Sequence, residues 1–533
     1  MGFYVSPGVY VREKDISEII PNIATTSCAL VGFSRKGSTK EIKLITNTRQ
    51  FIEEYGYPVP GEYFHYTALA FLENGNTLYC FRVAKNALYA GAKIAVSGSS
   101  KNNQTLTAGK AEPIYYDEDD ILFYVYAKDQ GKWANAEGAY PVGIKITNLD
   151  ATEKEFDIEV YVLTEEDVWE KVETWTVSRK HKLDGYGRQM YMEDRINGFS
   201  DYILVANDVS ENEDTMPKEQ SVTVLNLGGG SDGDTITDSE IVQGWDKFSN
   251  PDDVDIRILL NGGYTSTAVQ QKMKSVAESR KDCIAIFDIP YEVSNSVTGM
   301  VNWRKTTQNF NSSYCALYAP WVKIYDPYND KIIEIPPSGY VGSQIAYNDY
   351  VAEPWYAPAG FNRGILNVLG LNKVFTQGER DVLYQAQINP LQTFRGEGNV
   401  IWGQKTEQVK ASALDRVNVR RLLIVLEKSI SATLRYFVFE PNNEITRFRI
   451  TSTIESFLDL LSARGAFQRE LGDRGFKVLC DTRNNTPAII DRNELHVDIF
   501  IKPIRAAEFI QLQTIITQTG AKFEELIARG VQF

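Results

Sequence analysis

Histidine and cysteine are scarce in this sequence of 533 residues, which contains three histidines and five cysteines. His65, His181 and His496 lie far apart, and neither H-E-x-x-H nor C-x-x-C spacing occurs. Zinc sites and the facial triads of iron enzymes need clustered ligands of these types. An odd number of widely spaced cysteines also argues against a disulfide framework. We therefore predict no metal site, and reduced thiols that are buried in the core.

The sequence also lacks the P-loop pattern G-x-x-x-x-G-K-[ST]. Residues 228–233 (GGGSDG) fit G-x-G-x-x-G, follow the strand-like run SVTVLNL and precede Asp253 by about twenty residues, as in a dinucleotide fingerprint. In such a site the helix begins at the glycines, so that its free N–H groups meet the pyrophosphate. Here Asp232 and Asp234 intervene and would repel a phosphate. A nucleotide site and a flexible Gly/Asp turn both stay open, and the carboxylates favour the turn.

Positive charge is in deficit, with 56 Lys and Arg against 70 Asp and Glu and a net charge of −14. This balance argues against broad binding to nucleic acid or anionic membranes. No apolar run approaches the roughly 18 residues that a membrane span needs, so we predict no membrane insertion. The first residues also lack the charged start and apolar stretch of a secretory signal. We therefore expect the protein to be made and used inside a cell, or to be released by lysis.

The charge is distributed unevenly along the chain. Residues 391–533 carry 20 Lys and Arg against 17 Asp and Glu, a net charge of +3, whereas the first 390 residues carry 36 against 53, a net charge of −17. Such asymmetry suggests that the C-terminal part faces an acidic partner, although a chance imbalance is the alternative.

Alternating short strands and helices predict an α+β, multidomain fold. The middle domain is α/β (βαβ) and comprises residues 23–86 plus 250–394. A β-rich outer domain, 87–249, is inserted into it. Within this domain the sequence pattern changes to alternating apolar residues with loop-like tracts. An arm at 1–22 precedes these domains, and an α+β domain at 395–533 follows them.

Within these domains the patterns predict several individual elements. Buried strands at 29–33 and 77–83 flank two helices, as in a βαβ unit. The Pro- and Gly-rich stretch 335–364 is predicted to be a long contact loop. Two C-terminal helices are predicted at 412–437 and 453–464.

Motifs in order along the chain resemble the tail sheath proteins of contractile-tailed bacteriophages. They are residues 4–11 (YVSPGVYV), 316–322 (ALYAPWV), 336–339 (PPSG), 354–360 (PWYAPAG), 417–422 (VNVRRL), 437–442 (FVFEPN) and 490–495 (IDRNEL). The resemblance covers both termini and most of the middle. It is weakest between 87 and about 250, where sheath proteins carry different outward insertions.

This resemblance implies a structural protein of the virion tail, assembled in the host cytoplasm, with no catalytic residues and no cofactor. Its subunits stack as rings or helical strands around a tail tube, and the partners implied are identical copies, the tube protein, and baseplate and tail terminator proteins. The C-terminal domain, completed by the N-terminal strand, faces the tube. The basic residues that we expect to face the tube are Lys405, Lys410, Arg416, Arg420 and Arg421. The alternative is a solvated helix face.

Both ends of the chain read as strands that can join a neighbour's sheet. Residues 3–12 alternate with period two and contain Pro7, which suits an edge strand, and the C-terminal end alternates similarly. An edge exposes unpaired backbone donors and acceptors to which a strand can be added. The positions expected in these intersubunit arms are Tyr4, Val5, Val9, Tyr10, Val11, Ile510, Leu512 and Ile516. The alternative is that both ends pair within their own chain.

Two other functions stay open. The first is a sheath subunit of a bacterial extracellular contractile injection system, which would use the same assembly principle. The second is a nucleotide-binding α/β enzyme that uses the glycines at 228–233.

Overall fold

The computed structural model describes residues 25–164 and 166–511. The described chain begins with two strands and two helices that lead to a third strand. These are β1 (Cys28–Phe33), β2 (Lys43–Ile45), α1 (Thr48–Tyr55), α2 (Tyr63–Leu72) and β3 (Leu78–Val83). Helix α1 begins where the side chain of Asn47 accepts a hydrogen bond from the Gln50 N–H, which satisfies a free donor of the first turn.

The next segment is mainly β-structure. Its elements are β4 (Gly91–Ala95), β5 (Gln104–Thr105), β6 (Ile121–Ala127), β7 (Val142–Asp150), β8 (Glu155–Leu163), β9 (Trp169–Val177), α3 (Met192–Ile196), β10 (Ile203–Asn207) and β11 (Gln220–Asn226). Two four-stranded sheets, in the orders β10-β6-β4-β5 and β11-β7-β8-β9, result. They share one core, in which the Phe123 and Phe156 rings stack with centroids 5.8 Å apart.

Strands and helices alternate again after this insertion. The elements are α4 (Asp238–Asp246), β12 (Ile258–Leu260), α5 (Thr267–Arg280), β13 (Ile284–Asp288), α6 (Val297–Asn302), β14 (Cys315–Ala319), β15 (Val322–Asp326), β16 (Lys331–Ile335), α7 (Ser338–Val351), β17 (Ile365–Leu366), β18 (Gly370–Leu371), α8 (Gln377–Gln385), β19 (Ile388–Phe394) and β20 (Gly398–Ile401). A 3₁₀ turn at Tyr291–Val293 and a π-helical turn at Trp303–Gln308 lie between them.

The C-terminal part consists of two long helices and a small sheet. Its elements are α9 (Val417–Leu434), α10 (Glu444–Ala463), β21 (Phe476–Leu479), α11 (Pro487–Ile490) and β22 (Asp498–Ile501), with 3₁₀ turns at Ala413–Asp415 and Arg435–Phe437. Helix α9 is shorter than predicted, and α10 begins nine residues before the predicted start at 453. The Asn443 side chain caps the first turn of α10.

A nine-stranded sheet organises the middle of the molecule, in the order β17-β20-β19-β14-β13-β12-β1-β3-β2. The six strands from β19 to β3 are parallel, and antiparallel strands lie at both edges. Parallel sheets need helices on both faces. Accordingly, Cys28 and Leu30 of β1 pack into one core with α2 and α7, while Ala29 and Val31 pack into another with α4 and α5. The predicted multidomain mixed fold is therefore confirmed, and all five cysteines are buried and unpaired.

One predicted loop is wrong, because residues 338–351 of the stretch 335–364 form helix α7. This helix is mostly buried between α2 and the sheet, so its sequence shows no amphipathic period. Its glycines allow close packing. A Cβ on Gly339 would lie 2.6 Å from the Thr67 carbonyl oxygen, and one on Gly342 would lie 2.7 Å from Leu260.

Two predicted domain boundaries also need correction. Strand β20 pairs with β19, so the boundary between residues 394 and 395 falls inside a β-hairpin. Helix α4 packs on β1 and β3 of the nine-stranded sheet, so it belongs with the middle unit although the prediction placed it in the outer domain. The chain re-enters the middle unit at Gly233, which bridges to Lys85. The other boundaries stay predictions.

Candidate functional site

The C-terminal sheet has open edges. Strands β21 and β22 pair antiparallel from Phe476 opposite Ile501 to Leu479 opposite Asp498, and within the described residues no third strand joins them. Val478 and its neighbours on the inner face pack against α9 and α10. Each strand therefore presents a row of backbone donors and acceptors to which a further strand can be added.

The predicted intersubunit arms fall mostly beyond the described part of the chain. Tyr4, Val5, Val9, Tyr10, Val11, Leu512 and Ile516 lie outside the described residues. Ile510 is described, and its side chain is 88% exposed in a segment without regular structure. The arm strands at both ends stay predictions.

The predicted tube contacts at Arg420 and Arg421 are wrong, because both side chains are only 4% exposed. The Arg421 guanidinium makes a bidentate ion pair with Asp349 of α7, at 2.5 and 2.7 Å. Arg420 donates to the Ser313 hydroxyl at 2.6 Å and lies over the Tyr314 ring. Burial lowers the pKa of Arg420. These two arginines attach α9 to the middle unit, so their charges are not available to a partner.

The other three predicted tube contacts differ in exposure. Arg416 precedes α9 as its N-cap residue, so it does not share a helical face with Arg420, and it pairs with Glu508. Lys405 is half-buried and donates to the Tyr384 carbonyl oxygen at 2.9 Å. Burial lowers the pKa of Lys405, and the positive charge of Arg416 lowers it further. Only Lys410 of the five is solvent-exposed, and its tube contact stays a prediction.

An exposed apolar surface lies around the connection between α9 and α10. Five large side chains there are between 59% and 102% exposed: Tyr436, Val438, Phe439, Ile445 and Phe448. Sequence reasoning missed this surface, although the run YFVF before the turn EPNN was a signal that could have found it. Such clustered exposure marks surfaces that contact other proteins.

The glycines at 228–233 do not form a phosphate loop. Helix α4 begins only at Asp238, and residues 228–233 bridge to residues 85–91 instead. Glycine is required there because backbones approach closely. A Cβ on Gly230 would lie 2.2 Å from the Gly131 carbonyl oxygen, and one on Gly233 would lie 2.0 Å from that of Lys85. The glycines therefore allow the close backbone packing at the connection to the inserted unit.

Replacing Gly233 with alanine is expected to lower the free energy of unfolding by about 2 kcal/mol, because φ is +84° and the new methyl group would collide with Lys85. Gly185→Ala is the matched control, since no atom lies within 4 Å of the position that its new methyl group would take. Urea denaturation measures both variants. Equal effects, or a nucleotide-dependent rise in melting temperature of the unmodified protein, would contradict the packing role.

Two buried carboxyl groups have raised pKa values, a feature that often marks active sites. Burial raises the pKa of Asp288 to about 6, against opposing hydrogen bonds from Ser338 and Gly263. Burial also raises the pKa of Glu407 to about 7, opposed by Arg304. Both side chains are fully enclosed. Asp288 accepts from the N–H and hydroxyl of Ser338, so it fixes the start of α7.

No group of three or more His, Cys, Asp or Glu side chains among residues 25–164 and 166–511 is arranged to hold a metal ion. None of the helices in that part of the chain is long and apolar enough to cross a membrane.

Two family models match consecutive parts of the sequence. Residues 234–407 match the central domain of phage tail sheath proteins, and residues 409–517 match the phage tail sheath C-terminal domain. The first match begins where the chain re-enters the middle unit, and the second contains α9, α10 and the open-edged sheet.

Tail sheath proteins of three phages are similar in sequence. That of Enterobacteria phage T4 is 33% identical over 370 residues, which cover 66% of this chain and 54% of the relative. That of Vibrio phage KVP40 is 34% identical over 329 residues, which cover 57% and 48%. That of Salmonella phage ViI is 28% identical over 356 residues, which cover 64% and 52%. The chain thus spans about half the length of the curated relatives it matches.

Solved sheath structures share the fold. The helical sheath of the anti-feeding prophage in its contracted state has a TM-score of 0.56 at 16% identity, covering 96% of this chain and 99% of that one. A sheath tail protein from Listeria innocua has a TM-score of 0.56 at 13% identity, covering 86% and 89%. The two domain matches together cover more than half of the sequence and, with the phage relatives, show that the chain belongs to the family of phage tail sheath proteins.

Proposed function

We propose that this chain is a structural subunit of a contractile tail sheath, which polymerises around a tail tube and contracts to drive the tube through a host cell envelope. The observation that carries this proposal is the open-edged β21–β22 sheet within the region that matches the sheath C-terminal domain. Predicted strands at both ends of the chain supply partners for such edges. Each added backbone hydrogen bond contributes about 0.5–1.5 kcal/mol net, so repetition over many copies makes the lattice strong.

The proposed mechanism is mechanical. An extended lattice assembled on the tube is trapped at higher energy, and contraction increases contact between rigid bodies while the arms stay joined. The nine-stranded sheet, with helices on both faces, provides such a rigid body. Energy stored during assembly removes the need for a nucleotide, so we propose a protein that is not an enzyme and carries no cofactor.

The proposed partners are identical copies, a tail tube protein, and baseplate and tail terminator proteins. The proposed location is the virion tail, after assembly in the host cytoplasm. The exposed apolar surface around Phe439 is a candidate contact with another subunit or with the tube.

A sheath subunit of an extracellular contractile injection system is the second candidate. Solved neighbours include the sheath of such a particle, PVC, at a TM-score of 0.55 and 16% identity. Because identity to the phage relatives is about twice as high, we favour the phage tail. Identifying the particle that contains the native protein distinguishes the phage tail from the injection system.

Electron microscopy of the purified protein tests the proposal. At high protein concentration we expect hollow, striated tubes, because the templating tube only lowers the barrier to an association that the subunits make themselves. The control is the same protein at low concentration, where subunits are expected. A monomer at every concentration, with both termini folded onto its own body, would refute the proposal.

A further inference from the structure

The segment that follows β22 returns to the middle unit. After Ile501 the chain runs without helix or strand, and residues 506–509 reach the neighbourhood of α8 and the start of α9. Cavities of about 340 and 360 Å³ lie along it, and both are lined partly by Ala506, Glu508 and Phe509. Phe509 is 83% exposed. Close apolar packing therefore does not hold this segment in place.

The Glu508 carboxylate makes the polar contacts that do hold it. One oxygen accepts from Arg416 Nε at 2.7 Å and from Gln404 Nε2 at 3.2 Å, and the other accepts from the Tyr384 hydroxyl at 2.9 Å. The Glu508 side chain is only 17% exposed. Hydrogen bonds to a charged group are roughly twice as strong as those between neutral groups.

The three donors are themselves positioned by the fold. Tyr384 belongs to α8, Gln404 lies in the connection between the two units, and Arg416 is the residue before α9. A backbone bridge joins Lys405 to Arg416, which keeps the donors on the connection together. Burial lowers the pKa of Arg416, but the hydrogen bond to Glu508 and the nearby charges of Glu508 and Asp415 together raise it above its usual value.

We propose that Tyr384, Gln404 and Arg416 form a carboxylate-binding site whose occupant is Glu508 of the same chain, and that this contact fixes the point from which the C-terminal arm leaves the subunit. The existence of the site rests on the geometry alone. Its role at the base of an arm rests on the proposed function.

The contact of Glu508 with its three donors determines how far the proposed C-terminal arm can extend from the subunit. Twenty-two residues follow Gln511 in the sequence. If Glu508 is released, the free chain begins after Ile504 instead, because the Ile504 N–H still donates to the Ala466 carbonyl oxygen. About four residues, or roughly 14 Å of extended chain, are then added. A longer, looser tether lowers the effective concentration of the arm at a neighbour's sheet edge.

Limited proteolysis of the full chain tests the site. Trypsin cleaves after Arg505, three residues before Glu508, and cleavage of a transiently released segment follows the population of the released form. Glu508→Gln is expected to accelerate cleavage at this bond about tenfold, as read by mass spectrometry of the fragments. Tyr384→Phe removes one donor and is expected to accelerate it about threefold. Glu440→Gln, at an exposed position outside the site, should leave the rate unchanged.

A double variant separates the specific contact from general loosening. If Glu508 and Arg416 act through one contact, Glu508→Gln combined with Arg416→Gln should be cleaved no faster than the faster single variant. Unchanged cleavage in both Glu508→Gln and Tyr384→Phe, or additive acceleration in the double variant, would overturn the site.

Assembly is measured separately. Glu508→Gln is expected to need a severalfold higher protein concentration for tube formation than the unmodified chain. If the unmodified chain forms no tubes, the proposed function fails while the proteolysis still decides the site. If tubes of both proteins form at the same concentration, the role of Glu508 at the base of the arm is refuted.

Discussion

Deletion of residues 1–14 is expected to give a protein that folds but does not polymerise. Among the described residues, the four main hydrophobic cores are built from residues 28 onward, so we expect the body to fold without the deleted segment. The proposed lattice contacts should depend on it, because an added strand would contribute several backbone hydrogen bonds and the burial of its valine face. Thermal unfolding checks the fold, and electron microscopy with sedimentation checks assembly.

A second variant keeps the chain length and removes only the apolar face. Replacing Val5, Val9 and Val11 with aspartate should abolish tubes as the deletion does, whereas Tyr186→Ser, at an 89% exposed position in the inserted unit, should not. Tubes of normal length from the deleted protein would count heavily against joined arms. In that case the subunits would associate through other surfaces, such as the exposed apolar surface around Phe439.

Arg421→Glu is expected to lower the free energy of unfolding by about 3–5 kcal/mol, because it breaks a buried ion pair and places two carboxyl groups together. Arg421 and Asp349 are each only 4% exposed. The change also removes the donors to the carbonyl oxygens of Thr25 and Pro354. Lys410→Glu, at an exposed position in the connection that precedes α9, is the control and should change stability little. Urea denaturation provides the measurement.

A paired substitution tests whether charge itself is needed. Arg421→Met with Asp349→Leu should recover most of the lost stability, since replacing both partners of a buried pair by apolar residues is often neutral. The opposite result has a clear meaning as well. If Arg421→Glu keeps normal stability and impairs only assembly on the tube, then Arg421 faces the tube after all.

Sequence patterns predicted the βαβ part of the sheet because the signals for its strands and helices lie within short runs of residues. The run ALVGF reads as a buried strand, and the first helix that follows has a recognisable cap at Asn47. Helix α7 was not predicted, because the signals for it do not lie within its own run of residues. It is buried on nearly every side, and its glycines are needed for close contacts with α2 and β12 that no local pattern contains.

The interaction sites were harder to predict than the fold. The arginines of VNVRRL looked like a charged helix face, but their partners, Asp349 and Ser313, lie 72 and 107 residues away in sequence. Glu508 and Tyr384 are likewise 124 residues apart. Spacing within a helix says which side chains share a face, and it does not say whether that face is covered.

The bridges of Lys85 to Gly233, Leu88 to Ser231 and Gly91 to Gly228 have a consequence for how this family can diversify. The departing and returning chains run side by side there, so the insertion leaves the middle unit through a stem of paired backbone. Beside this stem Arg82 donates to the Gln130 carbonyl oxygen and Lys36 lies over the Tyr140 ring. Parts of the insertion beyond the stem and these contacts can grow, shrink or be exchanged without shifting a strand of the sheet, which leaves the outside of the molecule free to evolve while its interior stays fixed.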